Sequence, residues 1–298
     1  MIDAGCKIKQ LLKRKNFKLK FELKLLKVMT DNKALFKKYL SLLGVTISNP
    51  SLELLKKIVK AHLIKVPFEN ISKLIYKQRG MNYIPNLSQY IDGIVKYNFG
   101  GTCYSNNYYL YLLLEYLGFD IKLCGADMKN PDVHLISVVR INGGEFIIDG
   151  GYAAPFLEPL PRDLKEDYII ASGNEKYILK PKNNDGTSLL EQYYKGELKH
   201  WYTVKPFPRK IEEFQKVIKE SYADNAMFMN SLLITRFFEN SAVVLRNLNL
   251  TETIDGKAST VKILFEDIPV IAHEKFGMPV DIVKKTANRL GTLKDTWA

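Results

Sequence analysis

Three side chains in this 298-residue chain could together run acyl-transfer chemistry: Cys103, His134 and Asp149. Cys103 closes the run Phe99-Gly100-Gly101-Thr102-Cys103 and introduces a strongly helical segment, Tyr104 to Leu117. A cysteine in the first turn of a helix sits beside unpaired backbone N–H groups and the positive end of the dipole, and both favour thiolate over thiol. The two glycines let the backbone bend sharply ahead of it, and the Cys103 N–H can help hold an oxyanion. His134 heads an apolar strand, His134 to Ile141, and Asp149 closes the return strand, Glu145 to Asp149. Asn142-Gly143 between them is a hairpin signal, because both residues of such a turn need positive φ. Pairing about that turn sets residue i opposite roughly 285 − i, which brings His134 beside Asp149. An aspartate there can bond one imidazole nitrogen and leave the other for the thiol. Gly150-Gly151, directly after, are expected to leave room for a ligand. The set reads as nucleophile, base and orienting carboxylate.

The other cysteines and histidines suit plainer roles. Cys124 lies inside an apolar strand run and reads as a small buried hydrophobe. Cys6 lies in a basic tail. His62 falls within a helix, and His200 and His273 sit among ordinary polar neighbours, so all three read as structural.

The elements around these residues change period part-way along the chain. Thr30-Asp31 can cap a helix running to about Leu43, where Gly44 stops it. Asn49-Pro50 opens a second helix through Leu54, Leu55, Ile58 and Val59 to about Ile64, and a third covers Ser88 to Lys96. With the Tyr104 to Leu117 segment, residues 30–120 read as a helical bundle carrying Cys103. Alternating runs follow at Ile121 to Ala126, at the two hairpin strands, and at Asp167–Ala171, Lys176–Lys180 and His200–Val204. Residues 121–207 therefore read as an antiparallel β-barrel or sheet carrying His134 and Asp149. Residues 208–298 mix an amphipathic helix, Arg209 to Tyr222, with strand runs at Leu232–Phe238, Ala242–Leu248 and Val261–Phe265 and a last helix, Val280 to Leu290. The expected fold class is α+β.

Composition limits the alternatives. The chain is 46% hydrophobic and 26% charged, ordinary for a folded protein with a sizeable core. No run approaches the ~18 apolar residues of a membrane span. Three cysteines with no metal or disulfide spacing point to a reducing, cytoplasmic setting and no metal site. Residues 1–29 hold nine Lys or Arg against Asp3 and Glu22, so this basic extension carries +7 of the net +12. The plain reading of such a block is a solvated tail. With Phe17 and Phe21 between its lysines it could also stack on nucleic acid, but no nucleic-acid fold signature occurs elsewhere.

The Gly-Gly-Thr-Cys run with Asn107 four residues on resembles the Arg-Gly-Gly-x-Cys…Asn segment of arylamine N-acetyltransferases. Val66-Pro67-Phe68-Glu69-Asn70 is similar to that family's Pro-Phe-Glu-Asn segment. Val133-His134-Leu135 and Asp149-Gly150-Gly151-Tyr152 resemble its histidine strand and Asp-Val-Gly-Phe-Gly loop. The four segments occur in the family's order and cover residues 30–160. The resemblance implies a helical bundle, a β-barrel and an α/β lid around a cysteine-protease-like core, with Cys103, His134 and Asp149 as a catalytic triad. It implies ping-pong transfer from acetyl-CoA to arylamines or arylhydrazines through a thioester, of the kind used in xenobiotic metabolism. By position, Gly151, Tyr152 and Ala153 would line the acetyl-CoA and amine cleft. Phe99 stands where the family has the arginine that pairs with the glutamate matching Glu69, so Glu69 needs another partner or a more exposed place. Gly150 replaces a valine, and Ala153 replaces a glycine, whose added methyl would narrow the cleft.

Two rival readings follow from the same residues. Peptidase-like and transglutaminase-like enzymes share the Cys–His–Asp logic, and the basic tail alone would suit a nucleic-acid-binding protein.

Overall fold

The computed structural model describes residues 32–290 and Leu293. The capping pair Thr30-Asp31, Cys6 and the basic segment 1–29 lie outside the described residues. Of the five described helices that lead up to Cys103 or start at it, four are α1 (residues 32–43), α2 (Leu52–Lys65), α4 (Leu87–Tyr97) and α5 (Cys103–Tyr116). Leu54, Leu55, Ile58, Val59 and Leu63 line one face of α2 at helical spacing and pack with Tyr39, Ile91 and Leu113 in one buried cluster. Asn86 caps α4 through a reciprocal pair with Gln89, satisfying two backbone donors that the helix start would leave open.

Between α2 and α4 the chain makes a two-residue strand, β1 (Phe68–Glu69), and a helix, α3 (Ile71–Gln78). The sequence reading passed over α3, although Ile71, Leu74 and Ile75 mark its buried face.

The middle of the chain forms a nearly closed antiparallel barrel of eight strands in the order β5-β4-β3-β2-β9-β8-β7-β6. These are β2 (Asp120–Asp127), β3 (His134–Ile141), β4 (Gly144–Ile148), β5 (Leu160–Pro161), β6 (Tyr168–Ser172), β7 (Glu175–Leu179), β8 (Ser188–Tyr194) and β9 (Glu197–Lys205). β8 had not been foreseen. In the β3–β4 hairpin Ser137 faces Ile148 and Val138 faces Ile147, the register expected about Asn142-Gly143. Both turn residues have positive φ, 52° and 78°.

The C-terminal part holds a 3₁₀ turn at Ile211–Phe214, then α6 (Gln215–Glu220) and α7 (Met227–Asn230). A five-stranded sheet follows in the order β1-β10-β11-β12-β13, with β10 (Leu233–Phe237), β11 (Ser241–Arg246), β12 (Asn249–Ile254) and β13 (Lys257–Lys262). The strand expected at Val261–Phe265 is displaced. The pairing strand ends at Lys262 and Phe265 begins a 3₁₀ turn. Asp255-Gly256, both at positive φ, turns β12 into β13 as Asn142-Gly143 turns β3 into β4. Helices α8 (Ile268–Phe276) and α9 (Val280–Ala287) close the chain.

The first strand of this sheet is β1, which pairs with β10 through Phe68–Thr235 and Glu69–Ile234. Asn70 adds to the joint: its Nδ2 donates to the carbonyls of Phe228 and Ser231, and the Leu233 N–H donates to its Oδ1 at 2.9 Å. The N-terminal and C-terminal thirds of the sequence thus share a sheet.

Candidate active site

Cys103 is the first residue of α5 and is buried. Thr102 caps the helix without a side-chain bond, which leaves its hydroxyl out of competition for the first N–H groups. The turn before it is held by close packing. A Cβ on Gly100 would fall 1.9 Å from the Pro67 carbonyl oxygen, and Gly101 has a φ of +136°. Only glycine fits either position without distortion.

His134 and Asp149 meet across the hairpin, with Nε2 2.8 Å from Oδ2. That leaves Nδ1 as the ring nitrogen available to Cys103, whose sulfur acts on the His134 ring. Burial alone would lower the pKa of this ring, but the Asp149 carboxylate and the Cys103 sulfur outweigh it and raise the pKa to about 10. Burial likewise works to raise the Asp149 pKa, and the His134 charge with its hydrogen bonds pulls it below the ordinary carboxylate value. The two shifts have one cause, an ion pair that each partner stabilises. The structure therefore brings all three sequence-selected residues together. Cys124 lacks such neighbours: burial pushes its thiol up to about 12.

Asn107 links the parts. Its Nδ2 donates to Asp149 Oδ1 at 2.8 Å and to the Leu135 carbonyl, and its Oδ1 accepts from the Gly150 N–H at 2.7 Å. It lies one helical turn after Cys103, so the face of α5 that presents the sulfur also grips the carboxylate loop. The motif containing Asn107 does not by itself reveal this task. The i, i+4 spacing was the available signal.

The loop after Asp149 departs from expectation. Gly150 and Gly151 do not leave ligand space. A Cβ on Gly151 would lie 2.6 Å from the Cys103 Cα, and one on Gly150 would lie 2.8 Å from the His62 ring. The glycines let the loop press against α5 and α2 instead. Tyr152 is half-buried, with its ring centroid 5.6 Å from that of His134 and its hydroxyl 2.7 Å from His200 Nδ1. His200 therefore stands one residue away from His134, and burial and the His134 charge both lower its pKa. Ala153 has a φ of 62°, in the left-handed region, which accounts for glycine in the family's loop by backbone conformation. His273 bonds the Met278 carbonyl at a helix end and has no part in the site.

Glu69 lies under the turn ahead of Cys103 and is fully buried. Its carboxylate accepts from Ser72 N–H at 2.8 Å, Ser72 Oγ at 2.6 Å and Gly100 N–H at 3.1 Å, while its own N–H donates to the Gly101 carbonyl. Another set of partners, all neutral, has thus taken the place of the arginine. Burial raises its pKa, against the opposing pull of those hydrogen bonds. Among the described residues, no group of His, Cys, Asp and Glu could hold a metal ion, and no helix is long and apolar enough to cross a membrane.

A family model described as N-acetyltransferase matches residues 51–286, most of the chain. The chain belongs to the arylamine N-acetyltransferase family. It is 31% identical over 129 residues to the arylamine N-acetyltransferase pineal gland isozyme NAT-3 of Gallus gallus, covering 41% of this chain and 43% of that protein. It is 28% identical over 195 residues to isozyme NAT-10 of the same species, covering 57% of this chain and 65% of that one. These alignments with curated relatives thus span less than two thirds of the relatives' length. The arylamine N-acetyltransferase of Mycobacterium abscessus superposes with a TM-score of 0.73 at 18% identity, over 86% of this chain and 95% of that chain. At that identity the structural match establishes the arylamine N-acetyltransferase fold alone.

Proposed function

We propose that this protein moves an acetyl group from acetyl-CoA to the nitrogen of arylamines or arylhydrazines through a thioester on Cys103. The observation that carries the reading is the buried His134–Asp149 pair at 2.8 Å, with the Cys103 sulfur acting on the same ring. In this scheme Cys103 and His134 form a thiolate–imidazolium pair. The thiolate attacks the acetyl carbonyl, the N-terminal N–H groups of α5 receive the developing oxyanion, and CoA departs with a proton from His134. An amine then attacks the thioester, His134 takes its proton, and the Cys103 thiolate leaves. Asp149 holds the ring so that one nitrogen always faces the sulfur. Positioned proton transfer of this kind contributes about 10²–10⁴-fold in rate.

Residues 30–120 supply the nucleophile in this scheme, 121–207 the base and carboxylate, and 208–298 a lid. Gly151, Tyr152 and Ala153 border the cleft, with the Tyr152 ring as the aromatic surface beside His134. The described cysteines are free thiols, in keeping with a reducing cytoplasmic setting. A peptidase-like or transglutaminase-like activity would need no acetyl-CoA.

Mass spectrometry after incubation with acetyl-CoA tests the proposal. A single acetyl adduct on Cys103 is expected in the parent chain and none in Cys103→Ala. CoA release should then depend on an added arylamine. An adduct that persists in Cys103→Ala would remove Cys103 as the carrier.

A further inference from the structure

Lys73, on α3, is a buried cation that the scheme above does not use. It is 4% exposed. Its Nζ donates to Ser221 Oγ at 2.6 Å, and that hydroxyl in turn donates to the Ile218 carbonyl at 2.6 Å. The serine proton is therefore committed, and its oxygen can only accept from the lysine. The ammonium also lies over the ring of Tyr222, 4.4 Å from the centroid, and 5.7 Å from that of Tyr104. Two ring faces and a hydroxyl tether the charge without neutralising it.

The acidic groups near this position are engaged elsewhere. On its own helix Lys77 pairs with Asp224, and Glu69 is taken by Ser72 and Gly100. Asp132, whose field reaches Tyr104, pairs with Lys205 and Arg209. Glu220, the other carboxylate felt by Tyr104, is exposed and lies 3.9 Å from Lys216. The remaining titratable groups facing the lysine are the phenols of Tyr76, Tyr104 and Tyr222, and for all three burial is the main influence, disfavouring phenolate. What remains for the ammonium is the sulfur at the start of α5: Cys103 pulls on Lys73 against the effect of its burial. Lys73 and the nucleophile's turn also share a small cavity, lined by Lys73, Gly101, Thr102, Tyr104 and Tyr222.

We infer that Lys73 is a positioning residue for Cys103, a fixed buried positive charge that holds the sulfur as thiolate and draws anionic groups toward it. The inference rests on Cys103 being the nucleophile of the proposed reaction. Burial lowers the Lys73 pKa to about 8, so the charge is present at neutral pH and begins to fade in mild alkali. When the sulfur is acetylated it loses its negative charge, and Lys73 becomes a buried cation with no counter-ion. That raises the energy of the acyl-enzyme relative to the free thiolate and favours its discharge to an amine.

Alkylation of Cys103 tests the inference without acetyl transfer. The rate of alkylation by neutral iodoacetamide and by anionic iodoacetate is followed against pH in the full chain, in Lys73→Met and in Ser221→Ala. Lys73→Met keeps the length and packing of the side chain between the rings and removes the charge. It is expected to raise the midpoint of the iodoacetamide profile by roughly one pH unit or more. It should also lower the iodoacetate-to-iodoacetamide rate ratio several-fold. Ser221→Ala, which releases the tether and keeps the charge, should move both readouts the same way by less. Profiles and ratios unchanged in both variants, or in Ser221→Ala alone where Lys73→Met does not fold, overturn the assignment. Failure of acetyl-CoA to acetylate Cys103 in the parent chain would instead overturn the proposed reaction and leave the alkylation result standing on its own.

Discussion

His134 and His62 are both fully buried, one in the barrel hairpin and one in the helical bundle, and their pKa values are displaced in opposite directions. His134, against Asp149, is raised to about 10; His62, bonded at Nδ1 to the Tyr39 hydroxyl and with nothing on Nε2, is lowered to about 3 by burial. The buried carboxyls repeat the contrast. Asp149 faces a cation and is lowered, whereas Glu69 faces neutral donors and is raised. Burial is common to all four, so the charge of the partner decides the sign. The hairpin pair is built to hold charge, whereas His62 and Glu69 sit where polar groups are held without it.

The strongest way to break this contrast is to give the hairpin the neutral character of the bundle. Asp149→Asn keeps the shape and removes the charge. It should lower arylamine-dependent CoA release by about 10³–10⁴-fold, and the His134 titration, followed by NMR, should fall well below about 10, because burial is then opposed by the Cys103 sulfur alone. The sign also fixes the pH window of stability. His134 contributes stability in full below its ordinary value of 6.5 and loses it as pH rises through about 10. Asp149 contributes above its ordinary 3.8 and loses it as pH falls through its lowered value.

The next test is steric. Restoring the family's valine as Gly150→Val drives a side chain into the His62 ring and should destabilise the fold by about 3 kcal/mol in urea unfolding. His62→Ala in the same chain should recover part of that loss, whereas additive losses would show that the two positions are independent. A smaller effect is expected at Glu69. Its raised pKa means that its stabilisation is complete below its ordinary value of 4.5 and fades as pH rises through the higher folded value. Glu69→Gln should therefore lose about 1 kcal/mol near pH 5, with the deficit shrinking by pH 8; a deficit that grows with pH would mean the carboxyl is held as an anion. Smallest of all, Ala153→Gly should gain no more than about 1 kcal/mol by relieving the left-handed backbone, read as a rise in melting temperature.

Much of the site was legible because it depends on local rules. Asn142-Gly143 fixes its own turn and the turn fixes the register, so the proximity of His134 to Asp149 follows from counting. Cys103 at a helix start follows from glycines ahead and helix formers behind. What escaped depends on packing between distant segments. Gly150 faces His62 and Gly151 faces Cys103, and no periodicity announces either contact. Glu69 could be seen to have lost its arginine, but its new partners, Ser72 and Gly100, emerged only with the turn in place. The helix α3 was short enough to miss, and with it went Lys73. β13 is almost wholly exposed and lacks the alternation that marks a strand.

The strand pairing at Phe68–Glu69 sets a timetable. The turn ahead of Cys103 leans on Glu69, and Glu69 pairs with a strand that begins at Leu233. A ribosome adding about 5–20 residues per second would need on the order of ten seconds to travel from Asp149 to that strand. For that interval the nascent chain already carries Cys103, His134 and Asp149 but lacks the backbone ladder that braces the first of them. A reading frame cut short between Asp149 and Leu233 would encode all three residues and leave them without that brace.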